Sequence, residues 1–279
     1  MAYKSITTVV TNAVQDSAAL EAAAELARRN SGHLDVLCLG IDHTQPGFYY
    51  SGTNAIAMQS NLALAEAEAK ELNTLVDTML DGRDLNWSSR HLYTQSAGLS
   101  QFLAYHTRYS DIVVLTRPYG DGKGHENEAI VESALFDAQV PILIVPDDTT
   151  LSARFNRVVV AWNESREALT AIRAALPVLK EADVVNIAII DPPEHAPDRS
   201  DPGGALSQML ARHGVQSEVS VLAKTMPRIS DVIDRHVADQ NADLLVMGAY
   251  GHSRFRESIL GGATRNTLQM AKVPVLMAH

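Results

Sequence analysis

Short apolar runs recur along this chain, separated by stretches whose apolar residues return every three or four positions. In the second half the runs fall near residues 157–162, 184–190, 216–222, 243–247 and 274–278. Each is short enough for a strand. The stretches between them predict helices near 165–179, 204–213, 229–240 and 262–272. Ile229, Val232, Ile233, His236 and Val237 show the helical period most plainly. In the first half the same reading predicts strands near 5–10, 34–39, 87–93, 111–115 and 141–145, with one long Ala/Glu/Leu helix from Asn61 to Leu80. Strands that are apolar at almost every position bury both faces, as parallel strands flanked by helices do. The pattern predicts an α/β fold: two tandem doubly wound domains, each a five-stranded, mainly parallel sheet with helices on both faces.

The halves repeat one another. Ser110-Asp111-Ile112-Val113-Val114-Leu115 matches Ala242-Asp243-Leu244-Leu245-Val246-Met247, and Val140-Pro141-Ile142-Leu143-Ile144 matches Val273-Pro274-Val275-Leu276-Met277. The polar stretch Asp147 to Ser152, after Pro146, reads as a linker, which gives domains at 1–146 and 153–279. Pro46 to Gly52 is an insertion between strand and helix, either a lid or a packed surface loop.

Candidate chemistry collects in the second half. There the strand ending at Met247-Gly248 runs into Ala249-Tyr250-Gly251-His252-Ser253-Arg254, and Gly261-Gly262-Ala263-Thr264 opens the last helix. The spacing is G-x2-G-x9-G-G. Gly248 is expected to let the chain leave the strand in a conformation most residues resist, and Gly251 to let backbone approach a ligand closely. Gly261, Gly262 and Ala263 place unpaired N–H groups at a helix N-terminus, which favours an anion, and Thr264 can add its hydroxyl. His252, Ser253, Arg254 and Arg256 supply further donors, so the segment reads as a phosphate cradle. In an open parallel sheet ligands sit outside the carboxyl ends of the strands, where strand order reverses. That rule brings Ala161-Trp162-Asn163, Ile190 and Met247-Gly248 to the same crevice as the cradle.

The segment from Gly248 to Thr264, with the closing Val273-Pro274-Val275-Leu276-Met277, resembles the nucleotide-binding signature of the universal stress protein family. The resemblance extends from Arg157 to His279 and covers the first half in outline only. It implies a Rossmann-like fold of the adenine nucleotide alpha hydrolase type, a stress-response role, and an adenine nucleotide, ATP or AMP, as ligand. Mg²⁺ can accompany ATP. In the family an acid after the first strand contacts the ribose, and backbone at the second and fourth strand ends holds adenine. Two positions depart from that pattern. Asn163 stands where the acid belongs, and it can bond a ribose hydroxyl or cap the following helix. Gly262 stands where a small hydroxyl residue is usual, which keeps an N–H but removes a side-chain contact. Trp162 is either cover for the core or a stacking surface. Single-domain members often join through the last strand, so the resemblance also implies that the two halves pair as an internal pseudo-dimer, with a homodimer of chains a further option.

The matching loop of the first half, Thr116 to His125, lacks the first glycine and the glycine pair, and Glu126, Glu128 and Glu132 crowd its helix. Acids at a helix start complement the dipole and compete with phosphate. This half is expected to be a degenerate copy with a structural role.

Composition narrows the function. A chain of 279 residues with 46% hydrophobic and 20% charged residues suits two globular domains. A formal net charge of −10 argues against nucleic acid as a partner. No run has the roughly 18 apolar residues of a membrane span. Met1-Ala2-Tyr3-Lys4-Ser5 leads straight into a strand pattern without a signal-peptide core, and the single cysteine, Cys38, sits in an apolar run. Core burial for Cys38 and a cytoplasmic location are the expectations.

No G-x4-G-K-[ST] and no G-x-G-x-x-G occurs, and Phe255 occupies the second glycine position of a nucleophile elbow after Ser253. The ten histidines have no metal-ligand spacing. His252 is the one proton carrier in the loop, and no catalytic residue is assigned. Asp111 and Asp243, at matching positions, read as structural. Slow ATP hydrolysis or phosphotransfer at the same cradle, and a nucleotide-free interaction protein, stay open as other readings; the protein partner is unspecified.

Overall fold

The computed structural model describes residues 2–44, 54–147, 149, 154–192, 201–249 and 262–279. Contacts divide the chain into two compact units, Ala2–Val140 and Pro141–His279.

The first unit runs β1 (Ser5–Val10), α1 (Ser17–Asn30), β2 (His33–Asp42), α2 (Asn54–Leu80), β3 (Asn86–Gln95), α3 (Leu99–Thr107), β4 (Ile112–Thr116) and α4 (His125–Glu132), which a π-helical turn at Ser133–Asp137 extends. Among the described residues its strands lie in the order β3-β2-β1-β4, all parallel. The second unit runs β5 (Ile142–Val145), β6 (Arg157–Ala161), α5 (Arg166–Leu179), β7 (Val184–Ile190), α6 (Gly204–Arg212), β8 (Ser217–Leu222), α7 (Ile229–Asp239), β9 (Leu244–Gly248), α8 (Gly262–Met270) and β10 (Val275–Ala278). Its order is β5-β10-β9-β6-β7-β8, parallel except for the antiparallel β5·β10 pair.

Burial follows position in the sheet. Every residue of β4, β5 and β10 is buried. Successive strand residues point to opposite faces, so both faces of these strands are covered. Edge strands β3 and β8 alternate between half-buried and exposed. The predicted mainly parallel α/β fold is the observed one, with the described strands shared four and six between the units where five and five were expected. The contacts divide at Val140/Pro141 because β5 pairs with β10, Ile142 opposite Met277, Leu143 opposite Leu276 and Ile144 opposite Val275. The insertion at 46–52 lies outside the described residues.

Asp111 and Asp243 tie each fourth strand to the first in the same way. Asp111 Oδ2 accepts from the Lys4 and Ser5 N–H groups at 2.6 and 3.0 Å, and its own N–H donates to the Ser5 carbonyl at 2.7 Å. Asp243 accepts from the Asn156 and Arg157 N–H groups at 2.7 and 3.0 Å, and its N–H donates to the Arg157 carbonyl at 2.9 Å. Both are structural, as the repeat suggested.

Candidate functional site

In the second unit the strand order reverses between β6 and β9, the first and fourth strands of the repeat. The register sets Ala161 opposite both Ala188 and Met247, and Met247 opposite Met277. Trp162, half-buried, donates its N–H to the Ala188 carbonyl at 2.9 Å and carries the ladder one step past β6. Ile190 closes β7 opposite Leu222. Ala161, Trp162, Met247 and Gly248 thus meet at one end of the central strands, with Ile190 two residues beyond Ala188 on β7.

The turn after β6 engages both Asn163 and Ser165. Ser165 is the N-cap of α5, its Oγ accepting the Ala168 N–H at 3.1 Å, while the Asn163 Oδ1 accepts the Ser165 N–H at 3.2 Å. Asn163 itself is exposed. Its oxygen shapes the turn that delivers the cap.

Gly248 requires a correction. It completes β9 and is absent from the residues with positive φ, so an unusual conformation is not what demands glycine here. A Cβ would instead strike the backbone of Glu167 and Ala168, where the first turn of α5 presses on the strand. Close helix–strand approach is the physical reason.

Gly262 differs. It begins α8, it is exposed, and no described atom lies within 4 Å of where its Cβ would be. Among the described residues nothing in the packing asks for glycine there. Ala263 is also exposed, whereas Thr264 is buried. No acidic residue occupies the first turn of α8. Gly251, His252, Ser253, Arg254 and Gly261 lie outside the described residues.

The same end of the first unit is filled from within. Thr116, at the position matching Gly248, donates its hydroxyl to Asp16 Oδ1 at 2.9 Å and accepts from Lys123 Nζ at 3.1 Å. The crevice, lined by Val9, Thr11, Asp16, Thr116, Asn127 and Ile130 among others, retains about 10 Å³. That is at most the space of one water. At α4 the first turn carries Glu126 and Glu128, and the Glu126 carboxylate folds back against Gly124. The sequence flagged the acids and Thr116 but not Asp16 or the role of Lys123. The available signal was a lone lysine in a glycine-rich loop.

Cys38 is buried in β2, and burial, with a smaller contribution from Asp77, pushes its thiol up to about 12. That suits the expected core role. Among the described residues no three His, Cys, Asp or Glu side chains gather as a metal site would need, and no helix is long and apolar enough to cross a membrane.

Comparison with known proteins agrees with this architecture. The model of the universal stress protein family matches residues 154–279. A curated universal stress protein of Synechocystis sp. is 36% identical over 73 residues, which are 26% of this chain and 24% of that protein, so the match spans about a quarter of the relative's length. A solved universal stress protein from Archaeoglobus fulgidus aligns with 98% of this chain and 97% of its own at a TM-score of 0.74 and 16% identity. A putative universal stress protein from Pseudomonas aeruginosa aligns with 99% of this chain and 93% of its own at 0.62 and 14%. At these identities the two structures speak to the fold.

Proposed function

The chain belongs to the universal stress protein family through its residues 154–279, and on that premise we propose that the second unit is a regulatory module that binds one adenine nucleotide, ATP or AMP. The observation that carries this reading is the pairing of a G-x2-G-x9-G-G sequence with an α8 whose first turn holds no acid and whose Gly262 meets no described atom where a Cβ would stand. A helix start of that kind suits an anion.

The phosphates then lie against the N–H groups of Gly261, Gly262 and Ala263, with Thr264 adding its hydroxyl. Gly251 admits the ligand, and His252, Ser253 and Arg254 donate to it. Adenine is held by backbone and side chains at Ala161, Trp162, Ile190, Met247 and Gly248. Because the Asn163 oxygen is engaged with Ser165, its NH₂ is the donor it offers a ribose hydroxyl. Mg²⁺ enters with ATP, held by the phosphates. The domains serve different ends in this reading, 153–279 binding nucleotide and 1–146 acting as a structural partner.

Mass spectrometry of the denatured protein tests for a co-purifying nucleotide, and calorimetric titration with ATP and with AMP tests the count. One site per chain is expected. Gly261→Val should abolish binding in a protein that still folds. Two equal sites, or unchanged affinity in Gly261→Val, would sink the assignment.

A further inference from the structure

We infer that the strand-end crevice of the first unit is a site for a primary ammonium group, and that the chain fills it with its own Lys123. The inference stands on the first unit alone and holds whether or not the second binds nucleotide.

The acceptor is held by bonds in which the lysine takes no part. Asp16 Oδ2 accepts from the Thr11 N–H at 2.8 Å, the Thr11 hydroxyl at 3.1 Å and the Asn12 N–H at 3.0 Å, all at the end of β1. These bonds fix the carboxylate from one side and leave Oδ1 turned to Thr116. Lys123 Nζ stands 3.1 Å from the Thr116 oxygen and 3.9 Å from Asp16 Oδ1. The hydroxyl thus relays between cation and anion. The Lys123 and Asp16 side chains are 3% and 5% exposed. Charges so far from water persist when paired and hydrogen-bonded, as these are.

The loop carrying Lys123 is shaped to deliver it. Gly120 and Gly122 take φ of 132° and 75°, a region that side chains resist, and Gln15 Nε2 bonds the Gly122 carbonyl at 3.3 Å. A buried carboxylate at the centre of the crevice and Glu126 at the start of α4 both repel an anion. Among the described residues the second unit differs at two of these positions: Ser165, not an acid, caps its α5, and Gly248 stands in place of Thr116. A primary ammonium, compact and with three donors, matches what the first unit presents.

The test uses the full chain carrying Ile130→Cys, since Ile130 lines the crevice and the native Cys38 is buried. That cysteine should resist a thiol reagent while Lys123 is present. Adding Lys123→Ala should speed labelling at least roughly tenfold, because the closing group is gone. Methylammonium should restore protection and raise the melting temperature of the Lys123→Ala protein; tetramethylammonium, with no N–H donor, should do neither. Equal protection with and without Lys123, or equal rescue by both cations, overturns the inference. Should Lys123→Ala fail to fold, Asp16→Asn combined with Lys123→Met should melt above Lys123→Met alone, since removing both charges leaves none unpaired. A double variant that melts lower overturns it as well.

Discussion

Thr116 and Gly248 occupy one position in the repeat, five residues after the matching aspartates Asp111 and Asp243. The aspartates make the same bonds in both units. The residues at the strand ends do not. Gly248 lets the backbone of α5 press onto β9, whereas Thr116 interposes a hydroxyl that joins Asp16 to Lys123. Scaffold bonds that run to backbone tolerate sequence drift around them, because the N–H and C=O groups they use never change. A ligand crevice has no such protection. In the first unit a single Cβ, one acid and one lysine close that end.

The last strand of the first repeat, β5, pairs with the last strand of the second, β10. Residues 153–279 expressed alone lose β5, and they should dimerise or aggregate through the bared edge of β10. Sedimentation of that piece decides. A stable monomeric 153–279 would mean that covering this edge is not what the first half contributes, and the pseudo-dimer reading would fall with it.

A substitution at each of two glycines separates packing from ligand approach within the second unit. Gly248→Ala places a methyl against the Glu167 and Ala168 backbone, which cannot rotate aside. Overpacking of this kind costs about 1–3 kcal/mol. Gly262→Ala meets no described atom, and alanine in a helix is favoured over glycine by up to about 1 kcal/mol. Urea midpoints at unchanged slope should therefore fall for the first and hold or rise for the second. Equal losses would undo the distinction drawn between the two.

Most elements were legible because their apolar period is strong. The ten strands and the helices of the second half lie within a few residues of expectation. The misses have physical causes. Strands β2 and β3 run on to Asp42 and Gln95, polar ends that join the ladder because each backbone pairs with its neighbour regardless of side chain. Helix α2 begins at Asn54, ahead of the stretch whose composition announced it. The Gly248 constraint comes from a helix that is distant in sequence, and Lys123 lies 107 residues from Asp16, so neither could be seen in a local pattern. The cradle spacing was legible from the start, since its residues are close in sequence.

The smallest expected effect concerns two histidines, one in each unit. His236 on α7 is buried and bonds Asn186 Oδ1 through Nε2 at 2.8 Å, while Asn186 Nδ2 donates to Ser220 Oγ at 2.9 Å. The Asn186 oxygen can only accept, so Nε2 carries the proton. Burial pushes the His236 imidazole below its usual value, against a weaker upward pull from Asp239. His106 on α3 shifts the same way, by burial first and by Arg90 second, with Asp35 opposing, but it is only half-buried. A lowered folded-state pKa means that the unfolded chain takes up the proton first as pH falls. The stabilisation is then complete above about 6.5 and drains away below it, by at most about 1.4 kcal/mol per pH unit for each group. His236→Gln keeps a donor toward Asn186 and removes the titration. It should flatten the stability profile between pH 6.5 and 5 more than His106→Gln does, since the more buried ring loses more on charging. Denaturant titrations across that range measure both. A profile that His236→Gln leaves as steep as before would show that this network does not set the acid limb.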